Sequence, residues 1–231
     1  TIPDMLEGPH IRLTDSLNTE VFYMKHDSKT GKSSLITNRY PVNKYPIKVN
    51  GIIVEPVDID FRSKVLIPSG IFKDVKKIFV VGDIHGEFER VSGLLKENKI
   101  IDKSGKWCWG NGHLVFVGDV FDRGSKVTEA LWMIFSLEKQ AEKSGGKVHL
   151  LLGNHEPMIF NNDLRYITDE YYVLCENLGM SYSWLFDEKS VLGHWLRQKP
   201  PIIQINDLLF LHAGISPELS EMKLPLDTIN K

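Results

Sequence analysis

Cysteine, long apolar runs and charge of one sign are all scarce in this chain of 231 residues, and each scarcity removes a class of protein. Two cysteines, Cys108 and Cys175, cannot build a disulfide framework, and neither has a partner at metal-binding spacing, so both read as packing residues. No apolar stretch has the length needed to cross a bilayer, so no membrane insertion is expected. Lys and Arg number 28 against 30 Asp and Glu, a formal net charge of −2, which provides no basic field to hold nucleic acid or an anionic membrane. Repeats and low-complexity stretches are missing, and 42% hydrophobic with 25% charged residues is ordinary for a globular protein large enough to bury a core. No signal peptide is visible, yet the chain starts at Thr1 without methionine, as expected where a leader has been removed or the sequence is partial.

What is present is sharply punctuated. Three runs rich in Val, Ile, Leu and Phe (Ile78 to Val81, Leu114 to Val117, Val148 to Leu152) each lead into a polar loop. The loops are Gly82-Asp83-Ile84-His85-Gly86-Glu87, Gly118-Asp119-Val120-Phe121-Asp122-Arg123-Gly124 and Gly153-Asn154-His155-Glu156. Runs of this kind bounded by glycine look like strands buried on both faces. Asp83, Asp119 and Asn154 follow one another at 36 and 35 residues, room for a strand, a loop and a crossover helix each time. Helical periodicity fills the intervals: Phe88, Val91, Leu94 and Leu95 in the first, and Val127, Ala130, Leu131, Ile134 and Phe135 in the second, until Gly145-Gly146.

An α/β fold with a parallel sheet follows, and the carboxyl ends of such strands share the edge where ligands bind. The three loops therefore converge. A fourth run, Leu208 to Leu211, ends in His212-Ala213-Gly214 and is expected to bring one more imidazole to the same edge. Taken singly, a Gly-Asp after a strand is an ordinary turn. Carboxylate, imidazole and amide gathered in one place are instead the donors of a dinuclear metal site.

The three blocks, in this order, resemble the metal-dependent phosphoesterases, specifically the phosphoprotein phosphatase family, whose pattern is Gly-Asp-x-His-Gly, Gly-Asp-x-x-Asp-Arg-Gly, Gly-Asn-His-Glu. The stretch Leu192-Gly193-His194-Trp195-Leu196-Arg197, leading through Lys199-Pro200 to Leu209 and on to Ser216, is most similar to the bacterial-type Shewanella-like branch. The resemblance runs from about Lys77 to Pro217. It implies an α-β-β-α sandwich holding two divalent ions, with Asp83 and His85 on the first, Asp119 bridging, and Asn154 and His212 on the second. A mixed donor set suits manganese, iron or zinc better than magnesium or calcium, which prefer oxygen. The resemblance further implies His155 as proton donor to the leaving oxygen, Asp122 as its orienting partner, and Arg123 with Asn154 on the phosphate. Glu156 is expected to hold a loop.

The implied activity is hydrolysis of phosphate monoesters, on phosphoserine, phosphothreonine or phosphotyrosine of a protein substrate or on a small phosphomonoester. Related proteins use the same ligands on diadenosine polyphosphates, which is the alternative within enzymes. A catalytically weak metal- or phosphate-binding module is the alternative outside them, because the family carries a further histidine ligand and a further arginine beyond the block at His212. The fourteen residues after Pro217 contain neither His nor Arg, so the natural protein is expected to continue past Lys231. Bacterial relatives of this branch are often exported, which implies a periplasmic or secreted location over a cytoplasmic one. Oligomeric state is not legible.

Residues 1–70 read as a β-rich extension preceding a catalytic core over 71–231. Glu20 to Lys25 and Ser34 to Thr37 read as strands joined by a polar turn, and Ile47 to Val54 as extended. Ser28-Lys29-Thr30-Gly31-Lys32-Ser33 ends like a P-loop, but the required first glycine falls on His26 and no helix pattern follows. The extension is expected to pack against the core. His10, His113, His149 and His194 lack ligand spacing, and Trp107 and Trp109 are expected to pack a loop.

Overall fold

A computed structural model describes residues 5–15, 18–27, 32–41, 46–49, 51–55, 58 and 70–230. The chain opens with an antiparallel sheet of β1 (Met5–Leu13), β2 (Asn18–Asp27) and β3 (Lys32–Pro41), in that order. A hairpin of β4 (Ile47–Val49) and β5 (Ile52–Val54) follows. The expected strands are thus present, while most of the turn joining β2 to β3, residues 28–31, lies outside the described residues.

The remainder runs β6 (Ile71–Phe72), β7 (Ile78–Val81), α1 (Phe88–Glu97), β8 (His113–Phe116), α2 (Val127–Lys143), β9 (Lys147–Leu150), α3 (His155–Phe160) and α4 (Asp169–Leu178). A 3-10 turn over Tyr182–Phe186, α5 (Val191–Leu196), β10 (Ile202–Ile205), β11 (Leu208–Leu211), α6 (Pro217–Glu221) and α7 (Leu226–Ile229) complete it. Strands β7, β8 and β9 pair in parallel in chain order, each crossover made by the helix that the periodicity predicts. Helix α2 stops where Gly145 takes φ 73° and Gly146 N–H bonds the Ala141 carbonyl at 2.9 Å.

Alternation along β8 explains the layering. Leu114 and Phe116 join the core formed with Ala130, Leu131 and Ile134 of α2, whereas Val115 points the other way. There it meets Leu151, Ile203 and Ile205 in a second, smaller core between two sheets. The second sheet has the order β11-β10-β6, with β10 antiparallel to β11 and parallel to β6. Asn230, just past α7, donates to the Ile202 carbonyl at 3.0 Å and ties that helix to β10. Helices, two sheets and helices make the α-β-β-α sandwich.

Strand β11 is the edge of the facing sheet, reached through a hairpin from β10, and from there it brings His212 to 3.2 Å from Asp119, the edge expected of it. One expectation needs correction. The run Ile78 to Val81 is not buried on both faces, because β7 is itself an edge strand and Val80 is 46% exposed. The extension does pack: Ile11, Val21, Phe22 and Met24 share one hydrophobic cluster with Trp132, Phe186 and Val191. Arg12 of β1 makes two bonds to the Asp187 carboxylate at 2.7 and 2.8 Å and lies 3.6 Å over the Trp184 ring.

Trp107 is buried and donates its indole N–H to the Gly110 carbonyl at 2.9 Å, edge-on to Trp109, so these two do pack a loop. Cys175 packs half-buried against the main cluster, but Cys108 is exposed, contrary to expectation, its thiol donating to the Lys99 carbonyl at 3.3 Å. Among the described residues no helix is long and apolar enough to cross a membrane.

Candidate dinuclear metal centre

The loop after β7 sorts its side chains by alternation: Ile84 is buried at 1% exposure, so Asp83 and His85 on either side face outward together. The loop after β8 is anchored by Val120 and Phe121, both fully buried, with Asp119 and Asp122 nearly so on either side. Backbone bonds then join the two loops, with Ile84 and His85 N–H donating to the Asp119 carbonyl at 3.0 and 2.9 Å and Gly86 N–H to Val120 at 3.0 Å. The approach is so close that a Cβ on Gly124 would lie 2.2 Å from the His85 carbonyl oxygen. Four non-glycine residues, His85, Asp119, Asp122 and Arg123, have φ between 45 and 69°. Such backbone costs on the order of 1 to 3 kcal/mol per residue and persists where surrounding bonds dictate it.

Glu156 supplies much of that dictation. Fully buried, its carboxylate accepts N–H bonds from Asp119 (3.0 Å), Val120 (2.8 Å) and Gly153 (2.7 Å), pinning the second and third loops together. Burial pushes its carboxyl upward, and the three N–H bonds oppose the shift.

The chelating atoms converge around Asp119. One group comprises Asp83, Asp119 and His212, another His85, Asp119 and His155, the donor atoms of each lying within 4.8 Å of one another. Asp119 Oδ1 is held by the His155 N–H at 2.9 Å, leaving Oδ2 at 3.2 Å from His212 Nε2 and 3.8 Å from His85 Nε2. Asn154 Oδ1 stands 3.1 Å from His212 Nε2. The resemblance pairs Asp83 with His85; here Asp83 lies between them, 3.9 Å from His85 and 3.7 Å from His212.

Tautomers decide what this arrangement can hold. His85 Nδ1 is 2.7 Å from the Phe121 carbonyl and His212 Nδ1 is 3.1 Å from that of Val117. A carbonyl only accepts, so in each neutral ring the proton sits on Nδ1 and Nε2 presents a lone pair. Among the described residues the lone pair of His85 is buried without a hydrogen-bond partner. That of His212 faces two further acceptors, on Asn154 and Asp119. Lone pairs aimed at lone pairs are unfavourable unless a cation lies among them, and imidazoles oriented by backbone carbonyls are a common support for metal ligands. These residues fit divalent ions.

His155 differs. Its Nδ1 lies 2.5 Å from Asp122 Oδ2, both side chains buried, while Nε2 is turned toward the ligands, 3.9 Å from Asp119 Oδ2. Burial is the largest influence on the Asp122 carboxyl and raises it, opposed by the bond to His155. Arg123 is exposed, makes no ion pair among the described residues, and lines a polar cavity of about 400 Å³ with Gly86, Glu87, Lys126 and Glu170.

The calcineurin-like phosphoesterase family model matches residues 76–231. The chain belongs to the calcineurin-like phosphoesterases. Within that family it is similar to Shewanella-like protein phosphatase 1 of Plasmodium berghei, 28% identical over 197 residues, which span 82% of this chain and 52% of that protein. A symmetrical bis(5'-nucleosyl)-tetraphosphatase of Vibrio vulnificus is 29% identical over 149 residues, 61% of this chain and 45% of that one. Among solved structures, the cold-active protein-tyrosine phosphatase of a psychrophilic Shewanella species superposes with a TM-score of 0.83 at 34% identity, covering 97% of this chain and 66% of that one. The chain thus spans about half to two thirds of the length of these relatives, and the branch is the Shewanella-like one.

All eight residues singled out by motif, Asp83, His85, Asp119, Asp122, Arg123, Asn154, His155 and His212, lie on the three loops and at the end of β11. His113, which opens β8, and His149, within β9, bond one another at 3.0 Å and belong to neither ligand group. One neighbour escapes sequence reasoning: Tyr166, whose ring lies 5.4 Å from that of His155 and whose carbonyl accepts the Arg123 N–H at 3.0 Å. A lone tyrosine in an aperiodic loop carries no local signal; its position depends on the fold.

Proposed function

We propose that this site hydrolyses phosphate monoesters as a metal-dependent protein phosphatase. The observation that carries the reading is the buried His155–Asp122 pair, with His155 Nε2 3.9 Å from the Asp119 carboxylate around which Asp83, His85 and His212 gather. Asp83, His85, Asp119, Asn154 and His212 would hold two divalent ions, which when bound supply Lewis-acid charge and an activated nucleophile. The donor set favours manganese, iron or zinc.

Around them this chain's residues have distinct tasks. Asp122 fixes the His155 tautomer, so that Nε2 can carry the proton given to the leaving oxygen. Arg123 offers a planar fork to the phosphate, and Asn154 can contact the same oxygens. A pure metal- or phosphate-binding module has no use for a proton donor with a buried orienting carboxylate. The likeness to a tetraphosphatase keeps a dinucleoside polyphosphate as the second substrate class.

The test is manganese-dependent phosphate release from a phosphopeptide, from para-nitrophenyl phosphate and from diadenosine tetraphosphate, with Asp119→Asn as control. Release from the first two that vanishes in the control supports the phosphatase. Turnover of the dinucleotide alone would transfer the assignment to the second class, and metal binding without turnover would leave a binding module.

A further inference from the structure

We infer that Tyr166 selects aryl over alkyl phosphate monoesters by giving the departing ring a face to stack on; the inference rests on the phosphatase reading above. Tyr166 is 46% exposed although it adjoins the nearly buried His155, its ring 5.4 Å from the imidazole and tilted by 53°. It is fixed at both ends. Its carbonyl accepts the Arg123 N–H at 3.0 Å, and the Arg165 guanidinium, held by two 2.8 Å bonds to Asp163, lies 5.5 Å from the ring centre. The ring therefore stands beside the proton donor on a segment whose main chain is bonded to that of Arg123, with almost half of its surface open to solvent.

Position makes this surface selective. The oxygen that leaves phosphorus must come within about 3 Å of His155 Nε2 to receive its proton. Because the Tyr166 ring lies 5.4 Å from that of His155, an aryl group on that oxygen can come within the roughly 4.5 to 7 Å range over which aromatic pairs attract. A serine or threonine ester carries a saturated carbon on that oxygen and has no ring to stack. Stacking thus accrues to phosphotyrosine and to phenyl phosphates and not to phosphoserine.

The experiment compares kcat/KM for phosphotyrosine and phosphoserine versions of one peptide in wild type, Tyr166→Phe, Tyr166→Leu and Tyr166→Ala, with metal content and thermal midpoint recorded for each. The Leu and Ala variants should lose about 3- to 10-fold on the phosphotyrosine peptide and under about twofold on phosphoserine, and Phe should retain the wild-type ratio. Equal losses on both substrates, or none on either, would overturn the inference, the former showing that Tyr166 merely positions His155. Binding of non-hydrolysable aryl and alkyl phosphonate peptides gives the same ratio without turnover. Absence of hydrolysis in wild type would therefore sink the phosphatase reading, while the binding ratio still decides for or against Tyr166.

Discussion

His155 Nδ1 stands 2.5 Å from Asp122 Oδ2, with both side chains all but removed from solvent. Among the described residues the second oxygen of the Asp122 carboxylate is buried without a hydrogen-bond partner, so the carboxylate's close contact is to the imidazole that it orients. A pair so enclosed has a single geometry, which leaves Nε2 of His155 directed at the ligand groups.

Asp122→Asn should therefore lower kcat by about 100- to 10,000-fold while leaving metal stoichiometry intact, since an amide can no longer enforce the Nδ1–H tautomer. Steady-state rates alongside elemental analysis check this. A normal rate would remove the orienting role.

Chelation should destabilise the fold as well as silence it. Among the described residues no donor faces the lone pairs of His85 Nε2 and His212 Nε2, so a bound cation stabilises by RT ln(1 + [L]/Kd), about 2.7 kcal/mol at a hundredfold excess over Kd. Thermal midpoints should rise with added manganese and fall with EDTA, and His212→Ala should bind fewer ions per chain. A midpoint indifferent to both reagents would contradict the ligand assignment.

Stability should vary with pH through two groups far from the ligands. Glu129 is raised from 4.5 to about 7, first by burial and then by the neighbouring Glu7. It favours the protonated form in the fold, so its contribution is complete below about pH 4.5 and is lost as pH rises through 7. His149 is lowered from 6.5 to about 3 by burial first, then by His113 and nearby lysines, so its contribution is complete above about 6.5 and is lost as pH falls. Each slope approaches about 1.4 kcal/mol per pH unit, and between 4.5 and 6.5 the two oppose each other. Glu129→Gln should steepen the acid side of a urea-midpoint profile in that window and flatten the loss between 6.5 and 7. An unchanged profile would mean that the Glu129 carboxyl is not perturbed.

Arg12→Ala should cost about 2 to 3 kcal/mol in urea unfolding, below the roughly 3 to 5 kcal/mol for breaking a fully buried pair, because Asp187 is partly exposed. Arg12→Lys should recover little, since an ammonium can neither span both Asp187 oxygens nor stack flat on Trp184. Full recovery by lysine would show that charge alone joins the extension to the core.

The three motif loops were legible because their information is local. A glycine, a carboxylate and an imidazole directly after an apolar run, repeated at 36 and 35 residues, leave little choice once right-handed crossovers place all three strand ends on one edge. Helices α1 and α2 were legible for the same reason: period 3.6 is written into adjacent residues.

What the tertiary structure alone decided is everything that depends on partners distant in sequence. A four-residue apolar run such as Leu208 to Leu211 does not state which sheet it joins, so only the hairpin with β10 places His212 across from Asp119. Histidine tautomers were set by the carbonyls of Phe121 and Val117, which lie 36 and 95 residues away from His85 and His212. Packing brought Tyr166 against His155 and Arg12 against Trp184, pairs with no periodic trace because loops and clamps repay their ordering through unique contacts rather than through repeated ones. The sequence by itself determined which atoms could bind metal; the fold determined which lone pairs meet.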